Sequence, residues 1–201
     1  MDITTIDELR ALYNLPGERA LRKQLPKLDV HARRFIELAP FCVLATCGAD
    51  GRMDASPRGG ASGFVKVAPD GDLLIPDSPG NNRLDSLQNI LATGQAGLLF
   101  MIPGFEETLR VNGSARLTRA DDALALCRDE RRLPKLAIRI AVTEAYLHCA
   151  KAFMRSRLWD PAALTDRCAL PTMGEMIRDQ SGMEVPAETQ EEMRRRYAAD
   201  L

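Results

Sequence analysis

Ser56-Pro57-Arg58-Gly59-Gly60 places a hydroxyl, a fixed positive charge and two glycines within five residues. Glycines let backbone N–H groups approach a ligand, and a guanidinium forks onto an oxyanion. Pro79-Gly80-Asn81-Asn82-Arg83-Leu84-Asp85-Ser86-Leu87 is a second such segment. Its two asparagines stand where a helix should begin. Their side chains are expected to cap it, leaving first-turn N–H groups and Arg83 to face an anion. Lys66 lies between the two segments, flanked by Val65 and Val67, which point to the opposite face if this stretch is a strand. A third donor-rich stretch is His148-Cys149-Ala150-Lys151-Ala152, followed by Arg155 and the single tryptophan, Trp159. Read as a helix, it puts His148, Lys151 and Arg155 on one face.

These residue types in this order suit a phosphate. Each segment alone also has a plainer reading: a glycine-rich turn with an exposed arginine, an ordinary asparagine cap, a solvated strand lysine, or a packed turn at His148. Trp159 reads equally as a core or interface anchor. Cys149 has no acid–base neighbour but His148, so thiol catalysis is not expected.

The elements that must position these groups follow from the pattern. Helices are expected over Ile6–Tyr13, opened by a Thr5-x-x-Glu8 capping box, over Glu18–Lys23, and over Val30–Leu38, capped by Asp29. From residue 41 short β-type runs alternate with turns. Phe41–Cys47 turns at Asp50-Gly51 into Arg52–Ala55, and Gly63–Ala68 turns at Pro69-Asp70-Gly71-Asp72 into Leu73–Ile75. A helix over Leu84–Ala92 precedes strands Ala96–Ile102 and Thr108–Leu117. Ala120–Arg128 is expected to be helical and Ala137–Tyr146 a strand. Such closely spaced antiparallel strands point to a barrel. One domain over 1–201 is expected, with a helical segment 1–40, a barrel 41–146 and a helical segment 147–201. Thr172–Leu201 reads as a docking arm or a frayed tail.

Composition excludes several classes. The chain has 27 Lys+Arg against 28 Asp+Glu, so it lacks the basic surplus of a nucleic-acid binder. Arginines outnumber lysines 22 to 5, from codon bias or from anion recognition. Five cysteines without a Cys-x-x-Cys pair, and only His31 and His148, do not make a zinc set. No apolar run spans a bilayer, and the acidic N-terminus lacks the order of a signal peptide, so a cytoplasmic protein without membrane partners is expected.

The series of hairpin, Ser-Pro-Arg-Gly, strand lysine and Asn-Asn-Arg resembles the FMN-binding split-barrel family typified by pyridoxamine 5′-phosphate oxidase, over about residues 35–160. It looks in particular like a branch carrying Ser-Pro-Arg-Gly, Gly-Asn-x-Arg-Leu-Asp-Ser-Leu and His-Cys-x-Lys-Ala. The resemblance implies a mainly β fold with flanking helices, a split β-barrel, and FMN at a homodimer interface. In that family a strand lysine precedes a polar, basic cluster on the FMN phosphate; here Lys66 precedes Asn81, Asn82 and Arg83 by fifteen to seventeen residues. Ser56, Arg58 and Gly59 join that set. Ile75 and Asp77 would flank the isoalloxazine, Thr108 would sit near the ring, and Lys151, Arg155 and Trp159 would reach the partner's flavin. The implied activity is an FMN-dependent oxidoreduction of a small molecule. The alternatives are a flavin store or sensor, a haem-binding split barrel using His148, and a deazaflavin protein. No residue stands out as a general acid or base. The Arg-Leu-x-Pro tail of the vitamin B6 oxidases is absent from the terminal Tyr-Ala-Ala-Asp-Leu, so that reaction is not expected.

Overall fold

Thr5 and Glu8 satisfy each other's backbone N–H groups, and this capping box opens α1 (Ile6–Ala11) as the spacing requires. After α2 (Glu18–Arg22), Asp29 accepts from the Ala32 N–H at 2.8 Å and starts α3 (Val30–Leu38). Such a cap stabilises a helix by about 1 kcal/mol. Ala32 and Ile36 on α3 face the core. The computed structural model describes residues 2–129, 132–183 and 186–198, in two units, Met1–Ser156 and Arg157–Leu201.

The first unit is a split barrel: one antiparallel sheet of seven strands in the order β2-β1-β5-β6-β7-β4-β3. The strands are β1 (Phe41–Cys47), β2 (Met53–Gly59), β3 (Lys66–Val67), β4 (Leu73–Pro76), β5 (Gln95–Met101), β6 (Thr108–Thr118) and β7 (Ala137–His148). Its helices, besides the first three, are α4 (Asp85–Thr93), α5 (Asp121–Leu126) and α6 (Lys151–Ser156). β2 and β3 are the two edges, so the sheet is not a closed barrel. It must nevertheless curl. Seven flat strands would set the edges about 29 Å apart. The seven steps from Gly59 to Lys66 span at most about 24 Å. Backbone bonds from Gly60 and Gly63 to the Pro40 and Ala39 carbonyls hold this connection against the end of α3.

Alternation fixes the inner face. Cys42, Leu44, Leu73, Ile75, Leu98, Phe100, Val111, Ile138 and Ile140 are fully or almost fully buried, with Ile36, Leu87 and Ile90 from the helices completing one core. Each large side chain contributes about 1.5–3 kcal/mol by leaving water. On the other face Leu74, Ala68 and Ala137 pack under α5 with Ala123, Leu124 and Cys127. Where β6 crosses β7 the register shifts at Asn112/Gly113. A Cβ on Gly113 would lie 2.2 Å from the Ala141 carbonyl oxygen, so only glycine fits there.

Several boundaries differ from expectation. β2 runs on through Ser56-Pro57-Arg58-Gly59, which is strand and not turn; an edge strand tolerates Pro57 because its N–H side needs no ladder partner. β3 is two residues long, and β7 extends to His148, whose partner is Thr108.

The second unit holds α7 (Met173–Ser181), opened by a Thr172–Glu175 capping box, and α8 (Gln190–Ala198), where Arg196 pairs with Glu188 at 2.7 Å. The expectation for Thr172–Leu201 as an arm or tail thus falls on two defined helices, although residues 184, 185 and 199–201 lie outside the described residues. No helix among the described residues is long and apolar enough to cross a membrane.

Candidate functional site

β2 presents Asp54, Ser56 and Arg58 on one face, because strand residues alternate. Their partners on β1 are Thr46, Leu44 and Cys42, all buried. This edge therefore carries three polar side chains toward the inner face, each half-buried. The Arg58 Nε is buried and has no hydrogen-bond partner. A buried donor without an acceptor costs about 1–3 kcal/mol, and this one belongs to a charged group. Burial pushes the neighbouring Cys42 thiol up to about 12, the Arg58 charge partly opposing this. Gly59 serves packing: a Cβ there would come within 3.3 Å of the Pro40 carbonyl.

The start of α4 meets the far end of the same face. Ser86 is buried and donates to Asp54 at 2.5 Å; Thr46 donates to Asp54 at 3.4 Å and accepts from Asn89 at 3.1 Å. This cluster was not anticipated, although the alternation Asp54-x-Ser56-x-Arg58 signals a polar strand face. Neither asparagine caps the helix. The cap residue is Leu84, in the left-handed region at φ 61° with no side-chain bond, and Asn82 is also left-handed at φ 59°. The Asn81 side-chain Oδ1 accepts instead from the Arg83 N–H at 3.0 Å, a local turn. Arg83 pairs with Asp85 at 2.8 Å in solvent, and the Asp85 hydrogen bond, with its charge and that of Asp54, makes the guanidinium still harder to deprotonate.

Lys66 points to the other face of the sheet, opposite Val65 and Val67 as the alternation implies. Its Nζ donates to the Gly63 carbonyl at 2.8 Å, its register partner is Leu74, and its charge reaches Cys127. Ile75 keeps its side chain in the core, while β3 ends opposite Leu73 and Leu74. Among the described residues this leaves one backbone edge of Ile75–Asp77 without a strand partner. Asp77 is half-buried, its N–H donating to Leu136.

Thr108, 5% exposed, opens β6 beside His148. His148 ends a strand, so it shares no helix face with Lys151 and Arg155, which are exposed on α6. Its ring centre lies 5.1 Å from that of Tyr146 with the planes tilted by 39°, and its Nε2 is buried without a partner. Burial, then the charges of Arg110 and Lys23, lower its pKa. Trp159 belongs to the second unit. No cluster of three or more His, Cys, Asp or Glu suited to a metal occurs among the described residues. Ser56, Arg58 and the start of α4 thus lie on one edge of the barrel and Lys66 with the open edge of Ile75–Asp77 on the other, whereas Thr108 opens the inner strand β6 and Lys151 and Arg155 lie on α6. The short Gly59–Lys66 connection joins the two edges.

Several solved structures resemble part of this chain. A protein described as a putative pyridoxamine 5′-phosphate oxidase from Lactobacillus delbrueckii is 20% identical with a TM-score of 0.48, over 62% of this chain and 98% of that one. The haem storage protein HutZ from Vibrio cholerae is 14% identical with a TM-score of 0.43, over 61% and 94%. An FAD-binding protein from Mycobacterium smegmatis is 15% identical with a TM-score of 0.44, over 60% and 95%. No curated protein matches. Residues 28–149, more than half the chain, match the family model described as pyridoxamine 5′-phosphate oxidase, and the chain therefore belongs to the pyridoxamine 5′-phosphate oxidase family.

Proposed function

We propose that this chain is an FMN-binding flavoprotein, an FMN-dependent oxidoreductase of a small molecule, with the cofactor held where two copies meet. Family membership supports a flavin. The observation that carries the reading is the buried, partnerless Arg58 Nε, an unmet donor on the edge strand β2. When bound, FMN supplies a ring that accepts or gives a hydride, and the protein supplies position and charge. Arg58 and Ser56 would hold the phosphate and ribityl chain from β2. Arg83, with Asn81 and Asn82, would meet it from the start of α4, exchanging the solvated Asp85 for the ligand. The unpaired backbone edge of Ile75–Asp77 would face it from the opposite edge, and Lys66, on the other face of that edge, would join it by leaving the Gly63 carbonyl. Thr108 would orient the ring, and Lys151, Arg155 and Trp159 would approach from the partner copy.

One observation favours a second reading. His148 keeps a buried Nε2 without a partner, which is what an axial haem ligand needs. The absorption spectrum of the purified protein, with mass analysis of what heat releases, separates the two. A flavin spectrum with FMN released near one per chain supports the proposal. A deazaflavin mass moves it to that cofactor, a Soret band moves it to His148, and a colourless protein that refuses added FMN overturns it. A flavin-loaded protein that NADH and NADPH leave oxidised would point to storage or sensing.

A further inference from the structure

A cavity of about 340 Å³ opens in the barrel unit where the segment before α3 crosses β7. Its floor is apolar. Leu109 and Ala145 are core residues, 1% and 2% exposed, and Leu25 is fixed over them by two backbone bonds with Ala145, of 3.0 and 2.8 Å. Its rim is cationic. Lys23, Lys27 and Arg22 stand beside His31, against one carboxylate, Asp29, whose Oδ1 is already bonded to the Ala32 N–H. Arg22 answers Glu18 at 2.8 Å. Neither Lys23 nor Lys27 makes an ion pair among the described residues. Lys23 is nevertheless positioned: its Nζ donates to the Leu147 carbonyl at 2.7 Å and lies 5.5 Å from the centre of the Tyr146 ring. An ammonium has three donors, so two remain for a ligand.

Arg22, Lys23, Leu25 and Lys27 lie before the 28–149 stretch that matches the family model. The volume lies at the lower end of small-molecule sites, about 300–1,000 Å³. An apolar floor under two unneutralised ammonium groups selects by sign. A neutral ligand leaves the charges unmet, and a cation is repelled.

We propose that this cavity binds a small organic anion, a carboxylate or phosphate monoester on a short apolar body, with the head on Lys23 and Lys27 and the body over Leu25, Leu109 and Ala145. The site is separate from the flavin reading and uses none of its residues.

The chain has only two histidines, so its imidazole NMR spectrum is simple, and His31 stands on the rim. The purified protein is titrated with hexanoate, hexyl phosphate, hexanol and hexylammonium. Saturable shifts of His31 are expected with the two anions, weaker ones with hexanol and none with hexylammonium. The tighter anion identifies the head group. Lys23→Gln with Lys27→Gln should weaken anion binding at least tenfold while leaving the cofactor absorbance unchanged. The single Lys27→Gln change, at an exposed position, serves if the pair disturbs folding. Equal responses to hexanoate, hexanol and hexylammonium, an unmoved His31, or full anion affinity in the folded variant would overturn the proposal.

Discussion

Replacing Arg58 by methionine keeps the aliphatic stem on β2 and removes the guanidinium. If the buried Nε is unmet until a ligand arrives, the change has opposite signs in the two states. Without cofactor the variant loses a donor whose isolation costs about 1–3 kcal/mol. It should therefore melt higher, by roughly 2–12 °C for a domain of this size. With FMN it loses a charge-assisted bond of about 1.5–3 kcal/mol, so the dissociation constant should rise about tenfold to a hundredfold. Thermal unfolding with and without FMN, beside a flavin fluorescence titration, reads both quantities on one sample. Arg58→Lys should fall between, since it restores charge without the planar fork. A variant that melts lower without cofactor and binds FMN as before would show that Arg58 is a structural residue and refute the reasoning.

Arg83→Ala should weaken FMN binding by about 1.5–3 kcal/mol, and unchanged affinity in the same titration would remove the start of α4 from the phosphate site. Gly113→Ala drives a methyl into the Ala141 carbonyl and should cost about 3 kcal/mol of stability in denaturant unfolding, without a change in the site's residues. Cys149 is exposed, and the Lys151 N–H and charge lower its pKa, whereas burial raises that of Cys42; iodoacetamide at pH 8 should label Cys149 first and spare Cys42, as peptide mass analysis will show. Burial holds the His148 pKa below its ordinary 6.5, so the unfolded chain binds the proton first. Stability should be level with respect to this group above pH 6.5 and fall as pH drops from there toward the folded value. Urea unfolding should show that slope in the native chain and a shallower one in His148→Gln.

Much of the scaffold was legible where one local signal decides. Asp29 fixed the start of α3, glycine at position 51 closed the first hairpin, and the flanking valines assigned the face of Lys66. Ser56–Gly59 was misread because proline and glycine usually break strands, whereas β2 is an edge with a ladder on one side only. The asparagines before α4 failed as caps because Leu84 takes a left-handed conformation there, which no propensity assigns to leucine. His148 looked helical because its helical spacing to Lys151 and Arg155 competes with a long-range pairing to Thr108 that the local sequence does not show. The Asp54–Ser86–Thr46–Asn89 cluster joins three elements, and only the folded chain brings them together.

The seam between β2 and β3 has a consequence for motion. β6 and β7 pair along almost their whole length, but β3 is held by only two register pairs and β2 by one neighbour. Opening should therefore be easiest at the two lips, and amide exchange fastest at Lys66 and Val67. In strand order these lips are as far apart as the sheet allows, yet along the chain only six residues separate them. A ligand lying across the gap would act as a clasp, slowing exchange on both edges together while the central strands, already slow, hardly change.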